Sequence, residues 1–506
     1  MGGVMPRLYE TPRISLMRTA PPQAADAERG GGAIARARQS GPVAAAVLAA
    51  IVPGALAAYL AFRSGGYFPS SWSTLAGACA VVLAIVVLVA RRPFSGLSAP
   101  AQVAIGALAL LAAWMLLSAM WSHAPGRALL GFDRLLAYTL VFVLMAALPG
   151  SAWRPAWTLR GVAVALTGIC VCALITRLAP DFWPTHVNPT AGNRLEYPIS
   201  YWNALGLVAA AGLVLVLHLT SSPSEPRWVR VVAAAMGPPL ACTLYFTFSR
   251  GAIGAAAVGL AAYIVIGRPR FLLTALVSAG AATAVAVVRA YDSAALSVAG
   301  KPPPDAIAQG HHLAKVVVAC CAGAVLVRFV LLAVDVLLER IHLPRRARPF
   351  AAATGIAAVV AVIVALVAAG APGALSDAVH RFLYAPSVTS GDLRNRLTIV
   401  SSNGRTDQWK VALKGFRAHP LDGTGEGTFV NEWNRLRPTP FQILNAHSVF
   451  LETLGELGAV GFVLLVVALG AILLGLLARV RGPGRGVPAA AAAALITWMA
   501  HAAVDW

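Results

Sequence analysis

The sequence predicts an all-α protein: a polytopic bundle of about thirteen transmembrane helices carrying one large polar segment outside the bilayer. Three observations lead there. Of 506 residues, 58% are hydrophobic and only 12% are charged, with a mean hydropathy of +0.73. Soluble proteins carry about 25% charged residues, so a water-soluble enzyme is excluded. Apolar runs long enough to cross a hydrocarbon core, roughly 20 residues, recur along the chain, and arginines gather between alternate runs.

Residues 1–42 are rich in Arg, Ala, Gly and Pro and hold Arg7, Arg13, Arg18, Arg29, Arg36 and Arg38; this composition predicts a disordered basic tail. A cleavable signal peptide is not expected, because the basic region is too long and no small-residue cleavage site ends the first apolar run. Apolar runs then occupy 43–62, 72–90, 102–121, 129–148, 158–178, 201–219, 228–248, 251–267, 271–289, 312–338 and 350–371, which gives eleven helices over 43–371. Two more, 448–478 and 488–506, form a C-terminal membrane region over 448–506. The runs flanking Arg250 leave almost no loop between them. The run from 312 carries Arg328 and Asp335, two helical turns apart on one face, predicted to turn toward protein or the cytoplasmic boundary.

The net charge of +20 would suggest nucleic acid in a soluble protein; here it reports topology, and no nucleic-acid partner is expected. With the tail in the cytoplasm, the inside connections carry Arg91 and Arg92, Arg154, Arg227 and Arg230, Arg268 and Arg270, then Arg340, Arg345, Arg346 and Arg348, then Arg479, Arg481 and Arg485. The outside connections hold only scattered single charges. This assignment makes the N-terminus cytoplasmic and puts Arg194, Arg250 and the long segment 372–447 on the outer face. The six cysteines all fall in apolar runs and read as packing residues, with no disulfide framework or zinc site.

Segment 372–447 is mixed in sign, nine basic to six acidic residues, and reads as a small folded lid. Within it, RTDQWKVALKGFRA (405–418) brings Trp409, Ala412, Leu413 and Phe416 to helical spacing, predicting an amphipathic helix on the membrane or on the bundle. His419-Pro420 ends that helix and LDGTGEGTF supplies a glycine-rich turn. Gly423, Gly425 and Gly427 are not followed by Lys-Ser/Thr, so a phosphate loop is not expected. The chain also lacks HExxH, GxSxG and paired DxD carboxylates.

Four outward-facing residues remain as candidates for chemistry: Arg194 in NRLEYPISYWNALG, Arg250 in FTFSRGA, Arg405 in GRTDQW, and His447 in NAHSVFLETLGELGAVG. A guanidinium donates a planar fork of hydrogen bonds and keeps its charge, which suits a diphosphate headgroup at interface depth. The plain alternative is that Arg194 and Arg250 snorkel from helix ends while Arg405 pairs with Asp407 on the surface; three arginines on one face of a chain that otherwise avoids outside charge favour a site. An imidazole, with an unperturbed pKa of about 6.5, can take a proton from a sugar hydroxyl; the alternative for His447 is a capping or interfacial role. Glu452 and Glu456 lie roughly 140° and 180° around a helix from His447 and do not suit it as partners within that helix. His501 and Asp505, four apart in HAAVDW, share a face as a buried polar pair or as part of the outer site. Tyr197, Asn203, Asp407, Glu452, His501 and Asp505 are candidate supporting residues.

Together, NRLEYPISYWNALG, FTFSRGA, GRTDQWKVALKGFRAHPLDGTGEGTF, AHSVFLETLGELGAVG and HAAVDW resemble the O-antigen ligase and O-antigen polymerase family, particularly its actinobacterial-type members, over the stretch from Arg194 to Trp506. The resemblance implies a GT-C-like membrane glycosyltransferase in a bacterial plasma membrane. Such an enzyme moves a glycan from undecaprenyl diphosphate to an acceptor hydroxyl, on lipid or glycan, at the outer face. It implies that no metal or nucleotide cofactor is needed, because the lipid diphosphate is the leaving group. By motif it gives Arg194 and Arg405 a diphosphate-binding role, with Arg250 a further candidate, and makes His447 the base. Relatives of this kind continue into further membrane sequence after the DW pair, so a missing helix after Trp506 is expected. The competing reading is a transporter or flippase for a polyanionic lipid-linked or soluble substrate, which would place charge along a midplane path and break helices at related positions of two halves.

Overall fold

The computed structural model describes residues 47, 49–89, 91–147, 154–185, 188–340, 371–385 and 391–505. The predicted tail 1–42 and most of the predicted run 350–371 lie outside the described residues. Among the described residues the fold is helical, with one isolated antiparallel bridge, Val298 to Asp392.

The short apolar helix α1 (Ala49–Ala61) is followed by α2 (Pro69–Val89), α3 (Ala99–Ser118), α4 (Pro125–Ala147), α5 (Arg154–Leu178) and α6 (Trp202–Ser221). Then come α7 (Arg227–Phe246), α8 (Arg250–Gly267), α9 (Leu272–Asp292) and α10 (Ala306–Arg340). Segment 372–447, the outer segment of the topology expected from the arginines, contributes α11 (Ala371–Tyr384), α12 (Arg405–Ala418) and α13 (Phe429–Leu436), and α14 (Val449–Leu477) and α15 (Gly486–Ala502) follow. Ten of these are long and apolar enough to cross a membrane, while α1 and α15 are apolar but shorter.

Burial separates centre from rim. About two thirds or more of α6 and α7 is inside the protein, 67% and 72%, against 6% for α2. On α2 the large apolar residues Val81, Ile85 and Leu88 are exposed, a surface stable only in lipid, where a helix satisfies its own backbone polar groups. Around α6 pack α5, α7, α8 and α15, while α3 lies along α14.

The expected shared face of Arg328 and Asp335 is present. Asp335 accepts from Arg328 Nη2 at 2.6 Å, from Arg230 Nη1 at 2.8 Å and from the Thr274 hydroxyl at 2.7 Å. Arg328 also donates to the Thr220 carbonyl at 2.8 Å. A second buried cluster, Arg160 and His218 around Glu225, lies at the same end of the bundle, where α6 finishes and α7 begins. Every charge there has a partner, as burial of ions requires.

At the opposite end the outer segment folds onto the bundle. Helix α12 spans 405–418 as the spacing predicts, and it rests on α14 rather than on lipid. Its innermost side chains are Val411 and Ala412, packed with Phe429, Trp433 and Ala446, whereas Trp409, Leu413 and Phe416 are only half-buried. The buried stripe is thus rotated from the one that the large side chains suggested; Gly455 of α14, where a Cβ would lie 2.8 Å from the Ala412 carbonyl oxygen, lets α12 approach closely on that side.

The glycine-rich turn that follows seats in a break of α14. Gly458 has φ 64° inside the helix, and a Cβ there would lie 2.3 Å from the Leu421 carbonyl carbon, so only glycine allows the two backbones to meet. The opened helix donates Ala459 N–H to Pro420 and accepts Gly425 N–H at the Glu456 carbonyl. The Glu456 carboxylate accepts the Gly427 and Phe429 amides at 2.9 and 2.6 Å. The turn's amides, which would face a phosphate in a phosphate loop, are therefore occupied, those of Gly427 and Phe429 by this carboxylate and those of Thr424 and Gly425 by the Gly455 and Glu456 carbonyls.

Candidate functional site

The site lies where α6, α8, α12, α14 and α15 present their ends to the outer segment. Its hub is Asp505, three residues past the end of α15 and 2% exposed at its side chain. Asp505 Oδ1 accepts from the Tyr201 hydroxyl at 2.7 Å and pairs with His447 Nδ1 at 2.9 Å; Oδ2 accepts from Arg405 Nη2 at 3.1 Å. Asn203, on the first turn of α6, donates to the Tyr201 oxygen at 2.8 Å. Burial alone would raise the Asp505 carboxyl, but the His447 hydrogen bond and the Arg405 charge outweigh it and hold the group below the usual carboxylate range. The Tyr201 phenol is pushed well up, first by burial and then by the Asp505 charge, so it stays a donor.

His447 sits in the turn before α14 with φ 50°, a left-handed conformation uncommon for a side-chain-bearing residue. Glu452 holds that turn, accepting from Asn445 Nδ2 at 2.9 Å and from the Ala446 amide at 2.6 Å. Glu452 thus shapes the backbone beside His447 instead of touching the imidazole. With Nδ1–H donated to Asp505, the tautomer this carboxylate favours, Nε2 is left as an acceptor. The side chain is 25% exposed and lines a cavity of about 160 Å³.

That cavity collects all four residues singled out from the sequence: Arg194, Arg250, Arg405 and His447 line it. A fourth arginine, Arg396, lines it as well. Arg194 comes from the loop before α6, where its Nε and Nη2 donate to the Ala191 and Thr190 carbonyls at 2.6 and 2.9 Å. Its guanidinium lies over the Trp202 ring, 3.4 Å from the centroid. Arg250, at the start of α8, donates through Nη1 to the Ile399 carbonyl and through Nη2 to the Ser401 carbonyl at 2.7 Å. It therefore lines the cavity and also ties the outer segment to the bundle. Arg405 pairs with Asp505, not with Asp407 as the surface alternative supposed; Asp407 pairs with Lys410 at 3.0 Å.

Burial and mutual repulsion both act on these arginines. Arg194 is pushed down to about 9, chiefly by burial and then by Arg396 and Arg405. Arg396 is lowered by burial and by Arg405. Both still carry charge at neutral pH, and an anion placed among them would relieve the repulsion. Gln408, which also lines the cavity, has a buried Oε1 without a hydrogen-bond partner among the described residues.

The remaining sequence candidates are placed elsewhere. Tyr197 faces a second cavity on the other side of Arg194. His501 is buried inside α15, its Nε2 without a hydrogen-bond partner among the described residues, while Asp505 belongs to the outer cluster. Sequence reasoning missed Arg396 and Gln408. Gln408 lies inside the helix recognised at 405–418, one turn from Arg405; Arg396 had no signal beyond being one of nine outer basic residues. Among the described residues, no group of three or more His, Cys, Asp or Glu is arranged to hold a metal ion.

Residues 314–466 match the O-antigen ligase family. Over that stretch the chain is similar to O-antigen ligases. The matched stretch runs from α10 through the outer segment into α14 and contains Arg396, Arg405, Gln408 and His447. Arg194, Tyr201 and Arg250 lie outside it and reach the same cavity through the fold, and Asp505, also outside it, holds His447 and Arg405 from behind. No curated protein matches the chain. The ten long apolar helices fit a multi-pass membrane protein, and the match supports a membrane function of O-antigen ligase type.

Proposed function

We propose that this protein transfers a glycan from undecaprenyl diphosphate to an acceptor hydroxyl at the outer face of a bacterial plasma membrane. The observation that carries the reading is the convergence of four arginines and one carboxylate-oriented histidine on a single cavity at one end of an apolar bundle. The distribution of inside arginines, with the tail cytoplasmic, supports the orientation of that end.

The chemistry is one displacement. The acceptor hydroxyl oxygen attacks the anomeric carbon, the bond from that carbon to the diphosphate oxygen breaks, and the acceptor proton passes to His447 Nε2. Asp505 holds the imidazole in place and stabilises the imidazolium that forms. Arg194, Arg396 and Arg405, with Arg250 at the cavity wall, neutralise the charge that grows on the departing diphosphate. Inversion at the anomeric carbon is the stereochemical consequence. Buried charges among the described residues cluster at the two ends of the bundle rather than along a midplane path, which favours transfer over transport.

Purified protein in nanodiscs, given a lipid-diphosphate glycan and an acceptor, tests the reading. His447→Ala is expected to lose transfer while remaining inserted and folded. Arg405→Lys is expected to weaken donor use, because a point charge does not replace a fork. Full transfer by His447→Ala would overturn the assignment.

A further inference from the structure

Beside the arginine cavity lies a larger one, about 700 Å³, within the size of sites that take small molecules, about 300–1,000 Å³. Its walls are the outer end of α5, the loop leading to Tyr197 and the segment entering α10. Arg194 lines both cavities, so the second space adjoins the arginine cluster.

The walls of that space combine two kinds of surface. Trp183 and Tyr197 stand edge to face at 5.7 Å, and Phe62 backs Tyr197 at 6.0 Å. Next to these rings the Glu196 carboxylate accepts from Asn188 Nδ2 at 3.1 Å, and burial raises the Glu196 carboxyl above its usual range. Below them, Arg177 clamps Asn193 by donating to its side-chain and backbone oxygens, both at 2.5 Å. Asn193 in turn donates to the Val298 carbonyl at 2.6 Å, which fixes the backbone from which Arg194 projects.

We propose that this second cavity is a sugar-binding subsite in which Trp183 and Tyr197 supply the stacking face and Glu196 with Asn188 reads ring hydroxyls. The inference rests on the transfer reading and extends it to how the glycan is held. A sugar ring offers an apolar C–H face and an edge of hydroxyls, matching an aromatic wall beside a carboxylate-amide pair. A polyprenyl chain does not match, because it would dehydrate Glu196, Asn188 and Arg177 without giving them partners. A second phosphate does not match either, since the Glu196 carboxylate would face it. The sugar belongs either to the donor, beyond its diphosphate, or to a glycan acceptor.

Two measurements separate this inference from the transfer reading. In steady-state transfer by the full-length protein in nanodiscs, Trp183→Ala is expected to raise one KM by about three- to tenfold, the size of a lost aromatic contact, with kcat nearly unchanged and Trp183→Phe largely restored. A rise in donor KM that grows from a one-sugar to a four-sugar lipid donor assigns the site to the donor glycan. A rise in acceptor KM assigns it to the acceptor. Saturation-transfer NMR with free chitotetraose and mannotetraose reads binding without any turnover, so it stands if transfer itself fails. There the wild type is expected to contact at least one sugar and Trp183→Ala to lose that contact. Unchanged KM values in the variant, or sugar contacts in the NMR experiment that are absent from the wild type or survive in Trp183→Ala, overturn the subsite.

Discussion

Replacing Asp505 by Asn keeps the size of the hub and removes its charge. The carboxylate receives hydrogen bonds from Tyr201, His447 and Arg405, and two of those donors are, or become during the reaction, cations. A hydrogen bond involving a charged group is worth about 1.5–3 kcal/mol, so weakening those to His447 and Arg405 removes about 3–6 kcal/mol from the arrangement that performs transfer. At about 1.4 kcal/mol per decade, transfer by Asp505→Asn should fall by roughly 10²–10⁴-fold. The amide also offers an N–H to a neighbour that needs an acceptor, so His447 is turned or held in the wrong tautomer. The assay is initial-rate transfer from a lipid-diphosphate glycan at saturating donor, with thermal unfolding measured alongside to show that the variant is folded. Transfer within about threefold of the wild type would refute the role given to Asp505, since even one charged hydrogen bond exceeds that.

Other consequences follow from the same contacts. Glu426 is pushed up to about 7, first by burial and then by the neighbouring Glu452, against the opposing pull of Arg134. A carboxyl raised in the fold contributes stability below its unfolded pKa of about 4.3, and that contribution is lost as pH climbs through the folded value. The melting temperature should therefore drop between about pH 5 and about pH 8, and Glu426→Gln should flatten the profile; a variant as steep as the wild type contradicts this. Glu456→Ala strips the acceptor from the Gly427 and Phe429 amides and should cost about 1–3 kcal/mol for each donor left buried and unpaired, visible as a lower melting temperature and weaker hydrogen-exchange protection of the glycine-rich turn. Arg250→Ala releases the carbonyls of Ile399 and Ser401, so limited proteolysis near those residues should speed up; an unchanged cleavage rate would show that other contacts hold the segment.

Much of this fold is legible in the sequence because a bilayer leaves few choices: apolar length identifies a span, and each of α2 through α10 overlaps a run marked by composition alone, with ends that differ by up to six residues. The amphipathic helix 405–418 is equally readable, since its register follows from spacing. The direction of its buried stripe is not, because a glycine on the other helix, Gly455, sets the approach of α12 to α14, and a glycine carries no hydropathic signal. Arg194 and Arg250 are legible as scarce charges between apolar runs, and Arg405 and His447 through their motifs, whereas Arg396 is hidden among the many charges of segment 372–447. The hub itself is a long-range object. Tyr201 and Asp505 are separated by 304 positions, and no local pattern encodes that the phenol, the imidazole and the guanidinium share one carboxylate. The same holds for the Glu456 seat, where a residue that looks like a poor partner for His447 proves to be the partner of backbone amides in the glycine-rich turn.

The most direct test of the central claim is the stoichiometry of a single reaction in nanodiscs: glycan joined to acceptor against free undecaprenyl diphosphate released. The account predicts one lipid diphosphate released for each glycan transferred by the wild type, with both products absent from His447→Ala. Glycan joined without release of lipid diphosphate, or equal amounts of both products from the wild type and His447→Ala, would contradict it.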